Sequence, residues 1–145
     1  MTTINKDFLR KLLKEYSLVI VNTHGEILHY SNKSGIRPIV EAVLYIGNQI
    51  DGNIVADRVI GKAAALVIAN RNPIYVFGSV MSKPAEELLR RRRIDHDFDI
   101  IVDAIRARNG ELCPFERLVI EIDDPKEALE KIIRRLNIAK NTMLS

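Results

Sequence analysis

The residue types best suited to chemistry fall in two short stretches, "NIVADRVIGKAAALVI" from Asn53 to Ile68 and "NGELCPFERL" from Asn109 to Leu118. In the first, an apolar run stops at Asp57-Arg58, and Gly61-Lys62 heads an alanine-rich segment. A strand ending there would hand the chain to a helix. Asp57 would be its N-cap, accepting from the amide of Val59 or Ile60 for about 1 kcal/mol. Lys62 would then lie one turn in, beside Gly61. A glycine inside a helix costs about 1 kcal/mol, so another helix or a ligand should approach closely there. The pair lacks the spaced upstream glycine and following Ser/Thr of a phosphate-binding Walker loop. A plain cap and a solvated lysine account for the same residues without any ligand.

In the second stretch Asn109-Gly110 marks a turn and Pro114 suits the first position of a helix. Cys113 then stands at or beside the N-cap, where helix amides and dipole favour a thiolate nucleophile. Glu116 falls in the first turn, placed to bond back to a free amide or to act as general acid or base. A cysteine nucleophile usually needs a histidine base, and the nearest in sequence is His96. The alternative is an inert, partly buried cysteine. His24 reads as a turn residue and His29 as a strand-face residue. With Cys113 the histidines show no zinc-ligand spacing such as His-x-Glu with Pro-Cys-x-x-Cys, so no metal site and no cofactor is expected. "RRRR", Arg90 to Arg93, reads as a solvated helix end rather than a phosphate grip.

Composition narrows the classes of function. A chain of 145 residues with 47% hydrophobic and 28% charged residues is expected to form a single soluble domain over 1–145. No apolar run approaches the roughly 18 residues of a membrane span, and no secretory signal is evident. One cysteine precludes an internal disulfide and fits a reducing, cytoplasmic setting. A net charge of +3 permits an anionic ligand, while a nucleic-acid partner is not expected.

The elements that must position these residues follow from periodicity and punctuation. Ile4, Phe8, Leu12, Leu13 and Tyr16 predict an amphipathic helix over 4–16. "LVIVN" and "EILHY" flank Thr23-His24-Gly25 and predict a β-hairpin. "SGIRPIVEAVLYIGNQ" predicts a helix capped by Ser34 with Pro38 in its first turn. "NIVA" then reads as a buried strand, "RVIGKAAALVIAN" as a helix and "IYVFGSV" as a strand. "SKPAEELLRRRR" reads as a helix capped by Ser82. A brief strand over 94–98 follows, or else "DFDIIVDAIRA" begins a helix. Asp124-Pro125 opens a C-terminal helix over 125–137. Alternation after the hairpin favours a mixed sheet with helices on both faces, whose ligands bind at strand carboxyl ends beside helix N-termini.

The series "SGIRPIVEA", "VADRVIGKAAAL", "VMSKPAEELL" and "CPFE", in that order, resembles the domain-of-unknown-function family 1893 over nearly the whole chain. The resemblance implies a cytidine-deaminase-like α/β fold, a three-layer α/β/α sandwich around a mixed five-stranded sheet. It also implies that the helices opening at "SGIRPIVEA" and "ADRVIGKAA" stand where zinc deaminases carry their metal motifs. Here those places hold Gly35, Arg37 and Pro38, and Asp57, Arg58 and Gly61, none of them a zinc-site pattern. Two readings follow. One is a zinc-free module binding a nucleotide or ADP-ribose-like anion through Gly35, Arg37, Asp57, Gly61 and Lys62. The other is an enzyme with Cys113 or Asp57 as nucleophile and Glu116 as general acid or base. Self-association into a homo-oligomer is expected under either. Asp57, Lys62, Cys113 and Glu116 are expected to line one concave site.

Overall fold

The computed structural model describes residues 5–138; residues 1–4, Ile4 among them, and 139–145 lie outside the described residues. A five-stranded mixed sheet runs in the order β2-β1-β3-β4-β5, with β1 Leu18–Val21, β2 Ile27–Ser31, β3 Ile54–Ile60, β4 Tyr75–Ser82 and β5 His96–Val102. β1 is antiparallel to both β2 and β3, whereas β3, β4 and β5 are mutually parallel. The expected hairpin is present, and Gly25, at φ +85°, makes its turn. The left-handed region is one that glycine enters without steric cost.

Alternation along β1 explains how both faces are covered. Leu18 and Ile20 point into one apolar cluster, Val19 and Val21 into another. Helix α1, Lys6–Glu15, lays Phe8, Leu9, Leu12 and Leu13 on the second cluster, over Val19, Ala56 and Phe77. Its capping residue Asn5 accepts from the Phe8 amide at 2.9 Å. The opposite face carries α2, Arg37–Ile46, α3, Lys62–Ile68, α4, Lys83–Arg91, and α6, Pro125–Leu136. Every residue of α3 from Ala63 to Ile68 is buried. A helix apolar all round belongs in the interior, and its alanines let α2, α4 and α6 pack close around it.

Local signals place several ends where expected. Ser82 accepts from the Ala85 amide at 3.2 Å and Asp124 from the Glu127 amide at 2.9 Å, each starting a helix with proline in its first turn. The short helix α5, Pro114–Leu118, begins after Cys113 as anticipated.

Three expectations are corrected. The segment after Phe98 continues as strand to Val102, because β5 pairs in register with β4 through Ile100, Ile101 and Val102. The helical alternative is excluded by those ladder bonds. Ser34 does not cap α2; Ile36 holds that position without a side-chain bond, and the helix starts at Arg37. Most consequential, β3 does not stop at Asp57. It runs through Val59 and Ile60, which pair with Val80 and Met81, and the next helix starts at Lys62. β-Branched residues with a parallel neighbour favour strand over the first turn of a helix. Asp57 is therefore a strand residue, not an N-cap.

Candidate functional site

A cavity of about 380 Å3 lies where β3 meets the beginnings of β1, α2, α3 and α5. This is the carboxyl-end side of the parallel strands, beside the antiparallel β1, where ligand sites of open α/β sheets usually form. Each wall has a local cause. Gly35, at φ +77°, turns the chain into α2, and beyond its own chain neighbours no heavy atom of the described residues stands within 4 Å of where its Cβ would be. Ser17 donates to the carbonyls of Ser31 and Lys33 at 2.9 and 2.6 Å, tying that loop to the start of β1. On the far side the loop after β5 folds back on itself through an Arg106–Leu112 bridge. Gly110 makes its turn at φ +86°. The Cys113 amide donates to the Ile105 carbonyl at 3.0 Å, bringing Ile105, Arg106 and Cys113 to the wall.

Of the residues singled out from the sequence, Gly35, Asp57, Gly61, Cys113 and Glu116 line this one cavity. Lys62 and Arg37 do not. The Lys62 ammonium turns to the Ile120 carbonyl at 2.9 Å and the Asp123 carboxylate at 3.3 Å. The Arg37 guanidinium reaches the Leu136 carbonyl at 3.3 Å and Glu41 at 3.6 Å. Both are helix-start residues whose side chains leave the site.

Glu116 explains Gly61. The α3 N-terminus has no capping side chain of its own and no acidic residue in its first turn. Glu116 supplies the missing acceptor across the fold: its Oε1 and Oε2 accept from the amides of Lys62 and Ala63, both at 2.8 Å. A Cβ on residue 61 would stand 2.4 to 2.8 Å from that carboxyl group, so only glycine leaves room for it. The close approach expected at Gly61 comes from the protein's own carboxylate. Burial pushes the Glu116 pKa up, and the Ala63 and Lys62 amides work against that rise.

Asp57 is placed differently. It is 6% exposed and, among the described residues, has no ion-pair partner. The Val59 amide, 3.4 Å from Oδ1, is a long hydrogen bond. Burial pushes its pKa up to about 7, opposed by the amides of Val59 and Arg58 and by the Arg58 charge. The Arg58 guanidinium itself points away, donating to the carbonyls of Leu13 at 2.7 Å and Lys14 at 3.2 Å and so closing the last turn of α1.

The sequence reading missed the loop residues Ser17, Lys33, Ile105 and Arg106 as parts of this wall. The Asn109-Gly110 turn was the one signal that the last two are brought back beside Cys113. His96 does not line the cavity; it bonds Glu86 at 2.9 Å and the Ile94 carbonyl at 2.7 Å. A zinc ion of the deaminase kind does not fit these residues. At the α3 start the positions hold Gly61, Lys62 and three alanines, and Glu116 already takes the first amides. Among the described residues no group of three or more His, Cys, Asp or Glu stands where it could hold a metal. Nor, among them, is any helix long and apolar enough to cross a membrane.

The sequence model of the family described as TM1506, domain of unknown function (DUF1893), matches residues 8–136. The chain belongs to DUF1893. The crystal structure of a DUF1893 family protein from Thermotoga maritima is similar to it at a TM-score of 0.81 and 31% identity, over 92% of this chain and 93% of that one. No curated protein matches the chain. The matched range of DUF1893 includes every residue of the cavity wall.

Proposed function

We propose that this DUF1893 chain is a small-molecule binding module, a zinc-free relative of the cytidine-deaminase layout with helices on both faces of its sheet. The observation that carries this reading is Asp57, a buried carboxyl group with no ion-pair partner among the described residues, facing a cavity of about 380 Å3. Burying such a group costs stability unless something in the site uses it. The volume suits a compact ligand, near the lower end of the roughly 300–1,000 Å3 usual for small-molecule sites. A nucleotide-like molecule would place its ring against Ile36, Ile105 and Phe115, with a phosphate at the mouth near Arg106. Lys62 and Arg37 play no part in holding it, because their side chains are engaged elsewhere.

Native mass spectrometry of the purified chain, followed by amide NMR with a panel of nucleosides and nucleotides, tests the proposal. Binding should shift the amides of Asp57, Gly61 and Cys113 and leave those of 126–135 in place. A chain that carries no small molecule and responds to none of the panel would overturn it.

One observation favours a second reading, acid–base catalysis. A pKa of about 7 puts Asp57 where a general base or acid works at neutral pH, on a wall shared with Cys113. Glu116 is already committed to the α3 amides, so the proton-transfer role falls to Asp57. Turnover of any bound ligand, lost in Asp57→Asn with binding retained, would establish this reading; its absence in a saturated complex removes it.

A further inference from the structure

The charged side chains around the cavity favour a ligand that donates hydrogen bonds over an anion. Glu116, from α5, has both oxygens on helix amides. Lys33, from the loop before α2, has its ammonium 3.0 Å from both oxygens of Glu41. Arg58, on β3 itself, turns its guanidinium to the end of α1. Arg106, from the loop after β5, spends one nitrogen on the Gly110 carbonyl at 3.1 Å. Cys113 makes no capping bond with its side chain. Among the described residues Asp57 is thus the carboxyl group of this wall with neither an ion pair nor a short amide bond, only the 3.4 Å contact from Val59. A carboxylate offers about four lone-pair directions, and the amides of its own strand use few of them.

The Arg58 guanidinium keeps its charge, since carbonyls do not neutralise it, but it is turned away to α1. An anion placed against Asp57 itself would therefore meet two carboxyl groups, Asp57 and Glu116, at short range. A donor is favoured instead. We propose that Asp57 selects a ligand bearing a paired N–H/NH2 edge of the amidine or guanidine type, which a carboxylate grips with two parallel hydrogen bonds; this rests on the cavity being a ligand site. A planar group of that kind also suits the apolar wall of Ile36, Ile105 and Phe115. Any phosphate on the same molecule would lie outside, at the mouth.

Matched probe pairs test the edge: benzamidine against benzamide, and guanosine against inosine, which lacks the 2-amino group. Calorimetric titration at pH 8 should show the donor-paired member of at least one couple binding about tenfold tighter or more, as expected for bonds to a charged acceptor. Asp57→Asn should erase that preference. The wild-type chain supplies a control that needs no variant. Benzamidine should bind more weakly at pH 5.5 than at pH 8, because a protonated Asp57 loses its charge, and the amide of Val59 should report the contact. Equal affinity within both couples, or a preference that survives in Asp57→Asn, would overturn the donor-edge proposal and leave the ligand-site reading standing. No response to these probes or to any nucleotide would overturn both.

Discussion

Asp57 and Glu116 are buried to nearly the same degree, 6% and 8% exposed, and face the same cavity. Burial raises both pKa values. The difference lies in what meets them. Glu116 arrives at a helix start whose amides need an acceptor, so its two oxygens complete the α3 terminus. Asp57 arrives at a place where the sheet already satisfies the backbone, and its carboxyl group is left facing the cavity. Equal burial therefore makes one carboxylate a structural pin and the other a destabilising group available to a ligand.

The sharpest way to break the comparison is pH. Asp57 holds its proton to about pH 7 in the folded chain, against an ordinary carboxyl value of 3.8. Its contribution to stability is full below about pH 4, declines as pH rises, and is gone above about pH 7. Asp57→Asn should remove that decline. Relative to wild type it should gain stability across this window, by at most about 4 kcal/mol above pH 7. Urea titrations at pH 4.5 and 8 check the sign. A wild-type chain more stable than the variant at pH 8 would contradict it.

Glu116→Ala should act in the opposite sense, destabilising by about 3 kcal/mol by leaving the buried Ala63 amide and the half-buried Lys62 amide without an acceptor. The same titrations read this loss, and the ring of contacts around α3 predicts that it appears as loss of the whole fold rather than local fraying.

Gly61→Ala probes the same joint from the other side. Its Cβ would displace a carboxyl group locked by two bonds, at a cost of about 1–3 kcal/mol. In a Glu116→Ala background the obstruction is gone, so the second substitution should cost much less there. Additive effects would mean that Gly61 is required for some reason other than Glu116.

Lys62→Ala should have the smallest effect, within about 1 kcal/mol, since it loses a carbonyl contact and an ion pair whose partner is largely exposed. Ligand affinity should be unchanged, as read by the titration used for the cavity. A marked loss of affinity would place the ammonium back in the site.

Fold and site were legible from the sequence to different depths. Capping residues, the apolar stripes of α1 and α6, the hairpin glycine and the order of strands and helices are short-range signals. So is the opening of α5 after Cys113. The site was legible only in part. That Asp57, Cys113 and Glu116 border one cavity was legible, because the carboxyl half of a parallel strand and the helix starts gather on one side of such a sheet. Their roles were not, and the side chains of Lys62 and Arg37 leave a site their backbones border.

What the sequence by itself determined is therefore whatever depends on neighbours within a turn or two: which segments have a buried face, where proline and a small polar residue open a helix, where glycine turns the chain. Only the tertiary structure decided that β3 continues past Asp57, since that rests on pairing with Val80 and Met81. It alone decided that Gly61 makes room for Glu116, a contact spanning more than fifty residues. Such contacts have no local signature, because their energy comes from groups that meet only after the chain has closed around them.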